Sequence, residues 1–114
     1  MILTLLLLFA QRTYHPVPLE KVAQSSRTHI ETCGPVVYVR KQQDGDLHVT
    51  LDNGKGRVVV EIIPLIPLPA PKKGQIVRVR GISRFDKGHR FVEIHPVESI
   101  EVVKDCQPPR QPKH

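Results

Sequence analysis

The stretch that decides the fold runs Asp44-Gly45-Asp46-Leu47-His48-Val49-Thr50-Leu51-Asp52-Asn53-Gly54-Lys55-Gly56-Arg57-Val58-Val59-Val60-Glu61-Ile62-Ile63. From Asp46 to Leu51 polar and aliphatic residues alternate with period two, the pattern of a strand with one face in a core. Leu47, Val49 and Leu51 then point inward. Asp52 to Gly56 has the asparagine–glycine chemistry of a hairpin turn, and Arg57 to Ile63 returns as the partner strand. Val58, Val60 and Ile62 join the inward set, because a slip of one residue would turn every side chain to the other face.

Working outward, Thr28 to Arg40 is a long β-prone run in which Gly34-Pro35 predicts a bulge or bend. Four prolines between Pro64 and Lys73 forbid a regular helix and predict a proline-rich crossover. Gly74 opens a strand from Gln75 to Ser83, with Val77 and Val79 inward. Arg90 to Pro96 is the last main strand, with Val92 and Ile94 inward, and Ser99 to Val103 is its candidate extension. Valine and isoleucine dominate this half, which favours strands over helices. The expectation is an all-β fold: a five-stranded OB-fold barrel with the proline-rich connection between strands three and four. Its predicted organisation is a signal segment at 1–10, a linker at 11–27, the barrel at 28–104 and a flexible tail at 105–114.

Size and composition bound the rest. The chain has 114 residues, enough for one domain with a modest core, and an aromatic fraction of 4% leaves that core to aliphatic side chains. The apolar Met1–Ala10 reads as the hydrophobic part of an export signal, which implies a secreted, extracytoplasmic protein. If it is not a signal, the expected place is the cytoplasm. The run is too short to span a bilayer as a helix, so no stable membrane span is expected. Cys33 and Cys106 bracket the barrel, and in an exported protein they pair as a disulfide; two free thiols are the alternative. No Cys-x-x-Cys spacing exists, which excludes zinc-knuckle and thioredoxin-type chemistry.

Two sets of residues carry candidate chemistry. The outward positions of three strands hold Asp46 and His48, then Glu61, then Glu93 and His95. Side by side in a barrel, imidazole and carboxylate groups suit a divalent metal such as zinc or manganese, and a metal-bound water can hydrolyse a phosphodiester. The same groups can instead bond one another across strands and pin the register. Asp86 and His89 lie in a turn and belong either to the same site or to none. The other set is basic: with a formal net charge of +6, Arg78, Arg80, Arg84, Lys87 and Arg90 crowd the last strands, and Phe91 shares their neighbourhood. Barrels of this type hold single-stranded DNA or RNA by a basic groove and aromatic stacking, for which Tyr38, Phe85 and Phe91 are the aromatics in the barrel. The readings that stand are a nucleic-acid-binding module, a metal-dependent hydrolase and a structural or protein-interaction barrel. No nucleophile elbow or phosphate-cradling glycine loop is present.

The segments Asp44-Gly45-Asp46-Leu47-His48-Val49-Thr50-Leu51, Glu61-Ile62-Ile63-Pro64 and Glu93-Ile94-His95-Pro96-Val97 also carry a resemblance. Together with Gly74, Gly81 and the Asp86/His89 pair, they resemble a family of small, uncharacterised OB-fold proteins over roughly Thr28 to Val103. The resemblance implies the barrel and a shared site. The Asp-Gly-Asp turn is similar to that of staphylococcal-type nucleases, which share the barrel. The arginines and downstream acidic pair of those enzymes have no match here, so nuclease activity is not implied.

Overall fold

In the computed structural model the described residues are 13–25, 27–64, 68–84 and 92–106, with Val92, Glu93, His95 and Pro96 described by backbone alone. Six strands form in chain order: β1 (His15–Pro16), β2 (His29–Lys41), β3 (Leu47–Asp52), β4 (Arg57–Ile62), β5 (Ile76–Arg84) and β6 (Val92–Val103). A 3-10 helix, Leu19–Ser25, joins the first two. The order across the sheet is β1-β2-β3-β4-β6-β5, and a further β2–β5 pairing closes five of the strands into a barrel. β4 and β6 run parallel, with Val58 beside Val92, Val59 beside Glu93 and Val60 beside Ile94; the other barrel pairings are antiparallel. The all-β expectation and the strand order of an OB barrel both hold.

Period-two burial explains the barrel's inside. Val49, Leu51, Val58, Val60, Val77, Val79 and Ile94 are fully enclosed, Ile62 nearly so, and Leu47 packs at the margin. β2 adds Ile30 and Val36, and the second half of β6 adds Val97 and Ile100. The candidate extension at Ser99–Val103 is therefore continuous with the last strand. Gly34-Pro35 keeps a regular pairing with Val77 and Ile76, and the register shift in β2 falls between Val36 and Tyr38 instead. Gly34 meets a different demand: a Cβ there would lie 3.0 Å from Leu19 Cδ2.

The linker predicted for 11–27 is corrected over its described part. β1 pairs parallel to β2, and Leu19 and Val22 are buried in the core. The segment crosses an end of the barrel and closes it against water, which an unstructured linker cannot do. Its approach to the β3–β4 turn is close: a Cβ on Gly56 would lie 2.4 Å from Glu20 Cα. The far end is tied to β5, where buried Ser83 donates through Oγ to the Ser25 carbonyl and Arg27 N donates to Ser83 O at 2.7 Å. Cys33 and Cys106 are disulfide-bonded with a Cα separation of 5.5 Å, so the chain after β6 is fastened to β2. Residues 1–10, expected as a signal segment, and the tail from residue 107 lie outside the described residues. Among the described residues no helix is long and apolar enough to cross a membrane.

Candidate nucleic-acid interface

The β3–β4 hairpin is built from its turn. Asp52 Oδ1 accepts from Gly54 N at 2.7 Å, and Asn53 Oδ1 accepts from Lys55 N and Gly56 N at 2.9 and 2.8 Å. Gly54 takes φ +86°, a conformation glycine adopts without strain. Arg57 Nε donates to Asp52 Oδ2 at 3.0 Å. These contacts hold the Asp52 carboxyl below the usual carboxylate range, the Gly54 amide first and Arg57 second. The turn thereby sets the register in which Thr50 faces Val59 and His48 faces Glu61.

On the outer face, two cross-strand rows follow from that register. Tyr38, Thr50 and Val59 form one; Arg40, His48 and Glu61 form the other. Tyr38 is 55% exposed. Arg40 and Lys41 are also exposed, and among the described residues no ion pair reaches either. An aromatic ring open to solvent with a cation, Arg40, on the same face is what base stacking and phosphate contact require. Tyr38 stood among the aromatic candidates in the sequence. Arg40 belongs to the basic residues the sequence offers for phosphate contact, and its spacing of two from Tyr38 in a strand puts both on one face.

Asp46, His48 and Glu61 do converge at the edge of this surface. His48 Nε2 lies 3.7 Å from Glu61 Oε1. The Asp46 carboxyl is hydrogen-bonded to Glu61, and this bond above all, then burial and the negative charges of Asp44 and Glu61, raises its proton affinity above the usual aspartate value. His48 opposes the shift. Two carboxyls and an imidazole thus stand together where the start of β3 meets the end of β4. Among the described residues no group of three His, Cys, Asp or Glu side chains is placed to hold a metal ion. Glu93 reaches the same neighbourhood by backbone, beside Val59, while the side chains of Glu93 and His95 lie outside the described residues.

The β5 arginines occupy a different side. Arg80 Nε donates to Glu31 Oε1 at 2.8 Å, and its guanidinium stands 5.5 Å from the centre of the Tyr14 ring. In register, Arg78 lies between Cys33 and Glu101, and Arg84 lies beside Glu93. Tyr14 donates its hydroxyl to Glu98, which also lies 3.1 Å from His29 Nε2. Phe85, Asp86, Lys87, His89, Arg90 and Phe91 lie outside the described residues.

No family model and no curated protein matches this chain. Solved structures do match in shape. The replication protein A heterotrimer bound to single-stranded DNA aligns over 82% of this chain and 84% of that one, at 13% identity and a TM-score of 0.62. The second OB-fold domain of replication protein A from Methanococcus maripaludis aligns over 73% of this chain and 91% of its own, at 18% identity and 0.52. Asparaginyl-tRNA synthetase from Pyrococcus horikoshii aligns over 80% of this chain but only 23% of its own, at 17% identity and 0.63. This chain thus spans less than a quarter of that synthetase. At these identities the likeness establishes the fold, an OB barrel.

Proposed function

We propose that the chain is a nucleic-acid-binding module for single-stranded DNA or RNA, with the outer face of β2 and β3 as its contact surface. The observation that carries this reading is Tyr38, 55% exposed on that face, with Arg40 on its own strand and His48 and Thr50 opposite. A base stacks on the tyrosine ring, a phosphate flanking it meets Arg40 on the same face, and exposed Lys41 at the strand's end adds positive charge. The net charge of +6 adds a long-range attraction for a polyanion. The barrel shared with a replication protein bound to single-stranded DNA supports the reading. Arg78, Arg80 and Arg84 form a second candidate track, weakened by the engagement of Arg80 with Glu31.

Titration of labelled mixed-sequence DNA and RNA oligonucleotides against salt tests this. Tyr38→Ala should weaken binding by about tenfold or more, the usual loss when one stacked base is released. Replacing Arg40 and Lys41 together should flatten the plot of log affinity against log salt by about 0.7 per lost phosphate contact. The triple change at Arg78, Arg80 and Arg84 should do less. A larger effect from that triple change moves the interface to β5. No binding at micromolar protein and low salt ends the nucleic-acid reading and leaves the metal-dependent hydrolase and the structural or protein-interaction barrel.

A further inference from the structure

β2 has a gap along one edge. Its pairing with β1 ends at Glu31, and its pairing with β3 starts at Val36. Between them, residues 32–35 have β5 on one side and no described strand on the other. Proline explains both ends of the gap. Pro18 lacks an amide donor and turns the chain from β1 into the 3-10 helix, and Pro35 offers β3 no donor.

We propose that this gap is a docking notch for an extended, uncharged peptide segment of a partner protein. The main chain supplies the first argument. The Glu31 carbonyl accepts from Val17 N at 2.8 Å, so it faces the β1 side, whereas Val36 exchanges both its bonds with Gly74 and Gln75 on the β5 side. Strand alternation then turns the N–H and C=O of Cys33 toward the gap. A donor and an acceptor on one residue are what an added strand pairs with.

The second argument is Thr32. It is only 2% exposed, and its hydroxyl has no hydrogen-bond partner within the described structure. A buried polar group left unpaired is costly, and a ligand amide within reach would satisfy it.

The third argument is shape and charge. The gap opens into a cavity of about 710 Å³ lined by Thr32 and Cys33, within the range of ligand pockets. Four residues of strand span about 13 Å, room for about three residues of extended peptide. The charged groups of the lining are Arg78 and Arg80 against Glu20 and Glu31, two of each sign. A neutral segment complements that balance; a polyanion would meet the two carboxylates. The site is therefore separate from the Tyr38 face and does not depend on the nucleic-acid reading.

The test selects peptides from a displayed random library on the full chain with its disulfide intact, then resynthesises the enriched sequence in capped form. Enrichment of a β-prone sequence of low charge is expected, with binding that shifts the amide resonances of Thr32 and Cys33 and spares those of Tyr38 and Arg40. Methylating the peptide's amide nitrogens that face β2 should weaken binding at least tenfold. Thr32→Val, which keeps the shape and removes the hydroxyl, should remain folded and bind about threefold to tenfold more weakly. The proposal is overturned if nothing is enriched, if amide methylation leaves binding unchanged, or if the shifts fall on the Tyr38 face. Competition by a mononucleotide that shifts the Cys33 amide would also overturn it, in favour of a nucleotide site.

Discussion

The two halves of β2 present different kinds of surface. From His29 to Pro35 the strand lies against β5, and its outward side chains are tied down: His29 to Glu98, Glu31 to Arg80, Cys33 to Cys106. From Tyr38 to Lys41 it lies against β3 and carries an open ring and two cations that no described ion pair reaches. The register shift between Val36 and Tyr38 separates the two, at the point where a bulge bends and twists a strand. Charge on a barrel surface is thus not one resource. Paired across strands it fixes the architecture, and left free it is available to a partner.

The largest test of this division removes the strongest tie. Replacing Cys33 and Cys106 by serine should destabilise the barrel by about 4 kcal/mol, given the 73-residue separation that the bond closes. The measurement is denaturant unfolding under oxidising conditions. Oligonucleotide affinity measured well below the unfolding midpoint should stay unchanged, because the disulfide lies on the tied half. A parallel loss of affinity would break the comparison.

A smaller loss is expected at the barrel end. Gly56→Ala drives a methyl into the backbone at Glu20 and should cost about 1–3 kcal/mol, as overpacking does. Faster amide exchange at Leu19 and Val22 than in β5 would show that the 3-10 helix lifts first. Tyr38→Ala should leave the unfolding midpoint almost unmoved while weakening oligonucleotide binding. Loss of stability without loss of binding would assign Tyr38 to the architecture instead.

The smallest effect concerns pH. Asp46 has its proton affinity raised in the folded state, chiefly by its bond to Glu61. A carboxyl with a raised folded value penalises folding once it must ionise, so the penalty grows as pH climbs from the ordinary aspartate range through the raised one. Asp46→Asn should therefore raise the melting temperature slightly at neutral pH. That gain should vanish as pH falls below the ordinary aspartate value. The opposite slope would mean that Glu61 does not hold the Asp46 proton.

How far the sequence carried these conclusions depends on how local each signal is. The hairpin from Asp46 to Ile62 was legible because strand alternation and the Asp52–Gly56 turn act over neighbouring residues. The same alternation located Val77, Val79 and Ile94 in the core. Leu19 and Val22 were missed: two apolar residues in a short, polar, proline-bearing segment repeat too few times to declare a period. Of the candidate cluster, Asp46, His48 and Glu61 come together because adjacent strands make them neighbours, and the result is a carboxyl pair with an imidazole at its edge.

The sequence by itself determined the strand class, the inward parity of the hairpin and of β5, and the outward position of His48, Glu61, Arg78 and Arg80. These follow from the two-residue period of a strand, which any single strand already possesses. Only the tertiary structure decided which outward charges are spent on one another. Arg80 and Tyr38 are both exposed side chains on alternating strands. What separates them is that β2 brings Glu31 and the residue before β1, Tyr14, comes against the first, while the second faces Thr50 on β3. Those pairings join residues far apart in the chain, and they exist only once the barrel has closed.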